Sequence, residues 1–460
     1  MQLRAPPLRF WIAVMIFFTT FTNYMLRSNI SVSIIKMVDR KSKNFTPPCK
    51  EGQVKTNATK KEEINETRYQ WNENEVGLII SAYFYGYIVT VMPGGILSEM
   101  LGPFHVILWT SVGSAILTGL TPICAELGVY GVVANRFLVG FLGGVAYPAV
   151  NVLIAKWAPP KEKGKFLAAM MGNTLGTVVS FNLVGWATAL WGWAWGFYVL
   201  VFVMVVFCLA FAILTRDTPE KHPWISEGEL AFIKEAQEGH VSAKKKIPPY
   251  LKIILSIPFW ITTIAQFGNL WALNLILSYG PKYLSETLGF NLKASAGLAA
   301  LPYLARLLTS QVFGIVGDYM RKKEVMSLVK IRKFFIIFSH FIPAACMFLI
   351  RAAGCNHAGV IGLLVLNQGF NGAVVVGHLI SPQDLAPNFS GTVYGMMNLV
   401  GMTTGILVPS ITGALNTHYE MGLMAATIIY TIGGGVLTAS GVAFFLFASA
   451  DTQPWNEIEE

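Results

Sequence analysis

The chain has 460 residues, a net charge of +9, 54% hydrophobic residues and only 13% charged ones. Soluble domains carry about 25% charged residues. A mean hydropathy of +0.53 therefore excludes an ordinary soluble enzyme and places the chain among membrane proteins. The basic balance reads as loop topology signals, not as a nucleic-acid surface, and no nucleic-acid partner is expected.

Twelve apolar runs follow along the chain, near 9–36, 76–98, 104–124, 127–150, 166–190, 195–215, 256–280, 294–317, 334–350, 359–379, 390–415 and 421–447. Each is long enough for a helix of about 20 residues to cross a bilayer. The first keeps polar residues in its middle, and no small-residue cleavage site follows, so it reads as a retained helix.

The interruption at 37–75 is polar and carries three glycosylation acceptors, at Asn44, Asn57 and Asn65. Such sites are used only on a lumenal or extracellular loop. A second interruption, 216–255, holds Lys244, Lys245 and Lys246. Lys and Arg also gather at the N-terminus and after the fourth and eighth runs, while the short outer loops are poor in them. Both termini are thus expected in the cytoplasm and the first loop outside. Cys49, Cys124 and Cys355 then fall on the outer side, where a disulfide can form but the pairing stays open. Cys208 and Cys346 lie in apolar runs and are expected to pack.

The implied organisation is an N-terminal six-helix bundle (1–215), a cytoplasmic linker (216–255), a C-terminal six-helix bundle (256–447) and a short tail (448–460). A weak repeat supports two halves. Gly95 to Glu99 closes the second run, and Gly314 to Asp318, followed by Arg321, closes the eighth. Glu99, Asp318 and Arg321 are candidate gating residues at the inner ends. Gly172 with Gly176, and Gly401 with Gly405, give a small-residue spacing that lets helices pack closely in corresponding spans.

Three arginines lie inside apolar runs: Arg27, Arg136 and Arg306. Each costs about 2.5–3.5 kcal/mol at a span's centre, so each needs a cavity or a partner. No Asp or Glu lies inside any predicted span, and an anion with a carboxylate or phosphate group suits the guanidinium fork. Arg27 reads as a substrate contact; Arg136 reads equally as a structural donor to backbone carbonyls. Tyr83, Tyr85, Tyr87, Tyr147, Asn269 and Asn398 supply phenols and amides in other spans, and Tyr87, Tyr147, Asn269 and Asn398 join the candidate site. The tyrosines at 83, 85 and 87 cannot all face one way. Pro93, Pro148, Pro302 and Pro409 are candidate helix breaks. His378 reads as a proton relay or as a hydrogen-bonded structural histidine. No phosphate loop, nucleophile elbow or metal-ligand spacing appears, so no enzyme activity, cofactor or metal is expected.

Several elements resemble the anion:cation symporters of the major facilitator superfamily. They are Lys156-Trp157-Ala158-Pro159-Pro160-Lys161-Glu162-Lys163, Tyr87 with Pro93-Gly94-Gly95, Gly192-Trp193, Lys221-His222-Pro223, Asp384-Leu385-Ala386-Pro387 and Gln453-Pro454-Trp455. The resemblance runs from the first span to the tail. It implies an all-α membrane protein of twelve transmembrane helices in two pseudo-symmetric six-helix bundles around a central anion site. It also maps the family's substrate arginine onto Arg27, its fourth-span arginine onto Arg136 and a cavity tyrosine onto Tyr147.

Two positions depart from the glutamate and sialic-acid carriers. Gly143 stands where they have a glutamate, and Asn269 where the glutamate carriers have an arginine. The implied function is secondary active transport of inorganic phosphate or small organic anions, driven by sodium or membrane potential. The alternatives are a proton-coupled acidic sugar or amino-acid carrier of vesicles or lysosomes, and an anion channel. The expected setting is a monomer in the plasma membrane, with a small anion and a coupling sodium or proton as partners.

Overall fold

A computed structural model describes residues 6–39, 47–50, 66–159, 162–237, 248–420 and 422–456. Among them regular structure is helical throughout, and an isolated bridge from Val38 to Tyr69 is the one extended pairing. A bilayer offers no hydrogen-bond partners, so each crossing backbone satisfies itself within a helix. Asn44, Asn57, Asn65 and Lys244 to Lys246 lie outside the described residues.

The helices up to the linker are α1 (Leu8–Ser28), α2 (Ile30–Met37), α3 (Glu73–Val91), α4 (Pro93–Leu101), α5 (Pro103–Glu126), α6 (Val129–Gly144), α7 (Ala146–Trp157), α8 (Lys163–Ala169), α9 (Gly172–Trp191), α10 (Trp195–Leu214) and α11 (Glu227–Gln237). After it come α12 (Tyr250–Ile254), α13 (Ile257–Lys282), α14 (Leu292–Lys322), α15 (Leu328–Ile336), α16 (Ile342–Ala353), α17 (His357–Asn371), α18 (Ser381–Leu385), α19 (Ser390–Met402), α20 (Thr404–His418) and α21 (Leu423–Phe447). Eight helical segments among the described residues are long and apolar enough to cross a membrane, and α3 with α4 makes a ninth across a 57° bend. Three long segments remain: α1 with α2, α8 with α9, and α13. They are more polar because they carry buried polar side chains, such as Gln266, Asn269 and Asn274 of α13. With them the described residues provide twelve spans of an all-α membrane protein.

Several runs that read as continuous are broken. α3 gives way to α4 at Pro93, which cannot donate to the turn before it. α6 passes into α7 at Val145, with Pro148 in the first turn of α7. Pro302 and Pro409 lie inside α14 and α20, which continue through them. The tenth run loses its α geometry after Asn371 and continues as two 3₁₀ turns, Gly372–Val375 and His378–Ile380. A π turn, Ile337–Phe341, joins α15 to α16.

The chain divides into two compact units. The first comprises Met1–Ile30, Ala82–Thr188 and Ala194–Lys245; the second comprises Ser31–Ser81, Ala189–Trp193 and Lys246–Glu460. In the first unit α1 and α9 touch backbone to backbone through the small-residue pair. A Cβ on Gly176 would lie 2.2 Å from the carbonyl oxygen of Phe21. At the end of α7, Trp157 is fully buried and its Nε1 donates to Arg216 O at 2.9 Å. The His222 ring stands edge-on to it at 5.8 Å. Two sequence elements about sixty residues apart are thus one clasp. Beside it the Glu229 carboxylate accepts from the backbone N–H groups of Leu8 and Arg9 at the start of α1, a favourable place for a negative charge. Arg9 Nε donates to Glu162 at 2.7 Å.

The second unit closes in a parallel manner. Gln453 N donates to Leu385 O at 2.8 Å, and Trp455 packs with Ala386, Ile253 and Phe259. Arg332 forks onto Asp384 at 2.8 and 3.2 Å and donates to Val376 O at 2.8 Å. Cys49 pairs with Cys355, while Cys124, Cys208 and Cys346 are free thiols. α3 begins three residues before the expected run, and this buries Glu73, which pairs with Lys282 of α13. Glu286 stands 3.9 Å from the same ammonium. An acidic pair is therefore buried at helix ends where the sequence places none inside a span.

Candidate functional site

In the first unit the candidate site forms around the end of α1. Arg27 occupies the last turn of that helix and is only 5% exposed. Its guanidinium lies 4.6 Å from the centre of the Phe84 ring and 4.9 Å from that of Tyr24. Aromatic faces stabilise a cation most where water is excluded. Nη1 donates to the Tyr24 hydroxyl at 3.2 Å. Four phenols are near enough to act on this charge: Tyr24, Tyr83, Tyr87 and Tyr147.

Local geometry explains how they arrive there. Tyr24 precedes Arg27 by three residues and so shares its helix face. Tyr83 and Tyr87 are four apart on α3, both buried, with rings stacked at 6.1 Å; Tyr85 between them is 44% exposed. Tyr147 of α7 sits 6.1 Å from the Tyr24 ring and accepts a hydrogen bond from Asn173 of α9 at 2.9 Å. Arg27, Tyr87 and Tyr147 are therefore brought together, along with Tyr24, Tyr83 and Asn173, which the sequence reading did not assign. The i, i+3 and i, i+4 spacings on α1 and α3 were the available signal.

Arg136 is 1% exposed. Its Nη1 donates to Leu26 O at 3.0 Å and to Asn29 Oδ1 at 3.2 Å, and its Nη2 to Arg27 O at 3.2 Å. Of the two readings left open, this geometry is that of a donor to backbone carbonyls. α6 reaches α3 closely enough to hold it there: a Cβ on Gly140 would lie 1.9 Å from Tyr83 O.

In the second unit Asn269 and Asn398 meet on a residue the sequence reading missed, Gln266. Gln266 Nε2 donates to Asn398 Oδ1 at 3.2 Å, and Asn269 Nδ2 donates to Gln266 Oε1 at 3.3 Å. His378 Nε2 reaches the same Oε1 at 2.9 Å. A second buried histidine, His340, stands edge-on to His378 at 5.3 Å, with its Nε2 at 3.0 Å from Ala265 O. Arg306 of α14 is half-buried and near enough to act electrostatically on His378. Glu99, Asp318 and Arg321 are exposed at the ends of α4 and α14. Among the described residues Asp318 and Arg321 enter no ion pair. No cluster among the described residues could hold a metal ion.

The Major Facilitator Superfamily pattern matches residues 16–409. Sialin of Homo sapiens is 31% identical over 97% of this chain and 90% of the relative. A Drosophila melanogaster protein named as an inorganic phosphate cotransporter is 28% identical over 98% and 87%. Vesicular glutamate transporter 1 of Xenopus laevis is 30% identical over 99% and 77%. Among solved structures the D-xylose-proton symporter superposes with a TM-score of 0.66 at 14% identity, covering 96% of this chain and 98% of that one. The nucleoside transporter NupG gives 0.63 at 10% identity, covering 95% and 99%. At these identities the two structures speak for the fold alone.

Proposed function

The chain belongs to the Major Facilitator Superfamily and is a membrane transporter of its anion:cation symporter branch, not an enzyme; we propose that it carries inorganic phosphate or a small organic anion by alternating access. The observation that carries this reading is Arg27, a buried guanidinium against Phe84 and ringed by four phenols. Phenols and aromatic faces can hold an arginine in place, and a guanidinium fork suits an anion's oxygens. Tyr87 and Tyr147 complete the binding surface in the first unit. Asn269 and Asn398, through Gln266, and Arg306 supply donors in the second. Glu99, Asp318 and Arg321 act in the conformational change. Arg136 serves the site by fixing the backbone of Arg27.

Sodium or membrane potential drives the transport in this reading, because glycine stands at 143, where the glutamate and sialic-acid carriers have a glutamate. The Cys49–Cys355 disulfide supports an oxidising, extracytoplasmic face for the first loop and hence cytoplasmic termini; the plasma membrane is the setting in this reading. The six-helix halves, the 216–255 linker and a monomeric state are part of the same proposal.

Uptake into proteoliposomes tests it. Labelled phosphate, sialate and glutamate are offered under sodium, proton or potential gradients imposed one at a time. Arg27→Ala is expected to abolish uptake with protein level and orientation unchanged; normal uptake would remove Arg27 from the site. Saturation and counterflow are expected of a carrier, and large unitary currents would identify a channel instead. A second reading, proton-coupled export of an acidic sugar or amino acid, is favoured by the buried His340–His378 pair. It requires uptake to follow the proton gradient when sodium and potential are clamped.

A further inference from the structure

Tyr83 is buried to 1% exposure, yet its hydroxyl meets no hydrogen-bond partner among the described residues. Its ring is held without that hydroxyl. Tyr87 stacks on it at 6.1 Å, Phe84 meets it edge-on at 5.6 Å, and the Arg136 guanidinium lies 5.3 Å from its centre. A phenylalanine would pack the same way and would not bury a lone polar group, which is destabilising. The hydroxyl is therefore a cost to the fold with no return inside it.

Its position indicates the use. The charges that act on it are those of Arg27 first and Arg136 second. The Arg136 Nη groups are committed to Leu26 O, Arg27 O and Asn29 Oδ1. Room for the hydroxyl comes from Gly143. A Cβ there would lie 2.7 Å from Tyr83 Oη and 3.2 Å from Asn23 Nδ2, but 3.4 Å from Tyr83 Cζ, an ordinary contact.

We propose that the Tyr83 hydroxyl is a binding group for the transported anion, donating a hydrogen bond to an oxygen of the anion that Arg27 attracts, and that glycine at 143 is what admits it. A phenol donating to an anionic oxygen makes a charge-assisted bond, short and directional. A phosphate or carboxylate oxygen accepts such a bond, which agrees with the oxyanion substrates of the proposed function. This rests on the reading of Arg27 as the anchor of the anion.

The test uses the full chain in proteoliposomes, with whichever of phosphate, sialate and glutamate is taken up fastest. Tyr83→Phe is expected to raise KM roughly tenfold or more, the loss of one hydrogen bond to a charged partner. The melting temperature without ligand is expected to stay level or rise, while the shift produced by the anion shrinks. Gly143→Ala is expected to raise KM on its own, and to add less in the Tyr83→Phe background, where the clash with the hydroxyl is gone and only the close approach to Asn23 Nδ2 remains. An unchanged KM and anion-induced shift in Tyr83→Phe would overturn the proposal. So would a lower melting temperature with the anion-induced shift intact, or fully additive effects of the two substitutions. Arg27→Lys, run in parallel, separates the two readings. If it loses uptake while Tyr83→Phe keeps its KM, only the role of Tyr83 fails; if both variants behave as the native chain, the anchor fails too.

Discussion

Arg136 Nη2 donates to the main-chain carbonyl of Arg27 at 3.2 Å, so one buried arginine fixes the backbone that carries the other. Its remaining bonds, to Leu26 O and Asn29 Oδ1, fall where α1 breaks into α2. Carbonyls at a helix break have lost their intrahelical donors. A planar fork can serve several at once, and an ammonium cannot match that geometry.

Arg136→Lys is therefore expected to destabilise the protein by at least about 1–3 kcal/mol, the cost of leaving one buried carbonyl unpaired. Arg27→Lys is expected to melt near the native temperature and to lose uptake. Fluorescence-detected melting beside uptake separates the two roles. An Arg136→Lys protein that melts like the native chain would remove the structural role assigned to it.

In the second unit the Glu73–Lys282 pair is buried, with Glu286 at 3.9 Å from the same ammonium. Removing one partner of a buried pair strands the other, at a cost of about 3–5 kcal/mol. Lys282→Met is expected to lower the melting temperature sharply. Adding Glu73→Gln to it should recover part of the loss, because one of the two stranded carboxylates is then neutral and only Glu286 keeps its buried charge. A double variant that melts no higher than Lys282→Met alone would show that the pair does not act as a unit.

The helical spans and the buried arginine at the end of α1 were legible in the sequence because both are local signals. A run of apolar residues declares a span, and an arginine inside one declares a need. Arg136 was left with two readings because the donor reading depends on where Leu26 O and Arg27 O lie, more than a hundred residues away. Gln266 was missed for the same reason: it becomes a hub only when Asn398 and His378 arrive on it. Glu73 read as a loop acid because helix boundaries are the weakest part of a periodicity argument. Trp157 and His222 were each noticed as motif residues, but their contact is a tertiary fact. The break after Asn371 carries no proline, and nothing local in Gly372 to Ile380 announces it.

The disulfide between Cys49 and Cys355 joins the first loop to the turn before α17. Cys49→Ser and Cys355→Ser are expected to destabilise equally, by up to about 5 kcal/mol, and the double variant no further than either one. In Cys49→Ser the freed Cys355 thiol should react with an impermeant maleimide added outside intact cells. Labelling only after permeabilisation would reverse the proposed orientation.

His222 offers a pH test of the clasp on α7. In its neutral form Nε2–H points to Leu214 O at 3.3 Å and Nδ1 accepts from Trp224 N at 3.3 Å. A second ring proton would meet the Trp224 N–H head-on. Burial, only partly offset by the Leu214 carbonyl and reinforced by Arg216, holds the imidazole below its ordinary value of 6.5. A histidine whose folded pKa is depressed binds its proton more readily when unfolded. Its contribution to stability is thus present above about pH 6.5 and is lost as the pH falls below that. His222→Gln is expected to melt below the native chain at pH 7.5, with the gap narrowing by pH 5.5. Melting curves at the two pH values decide it, and a gap of constant size would mean that His222 contributes packing alone.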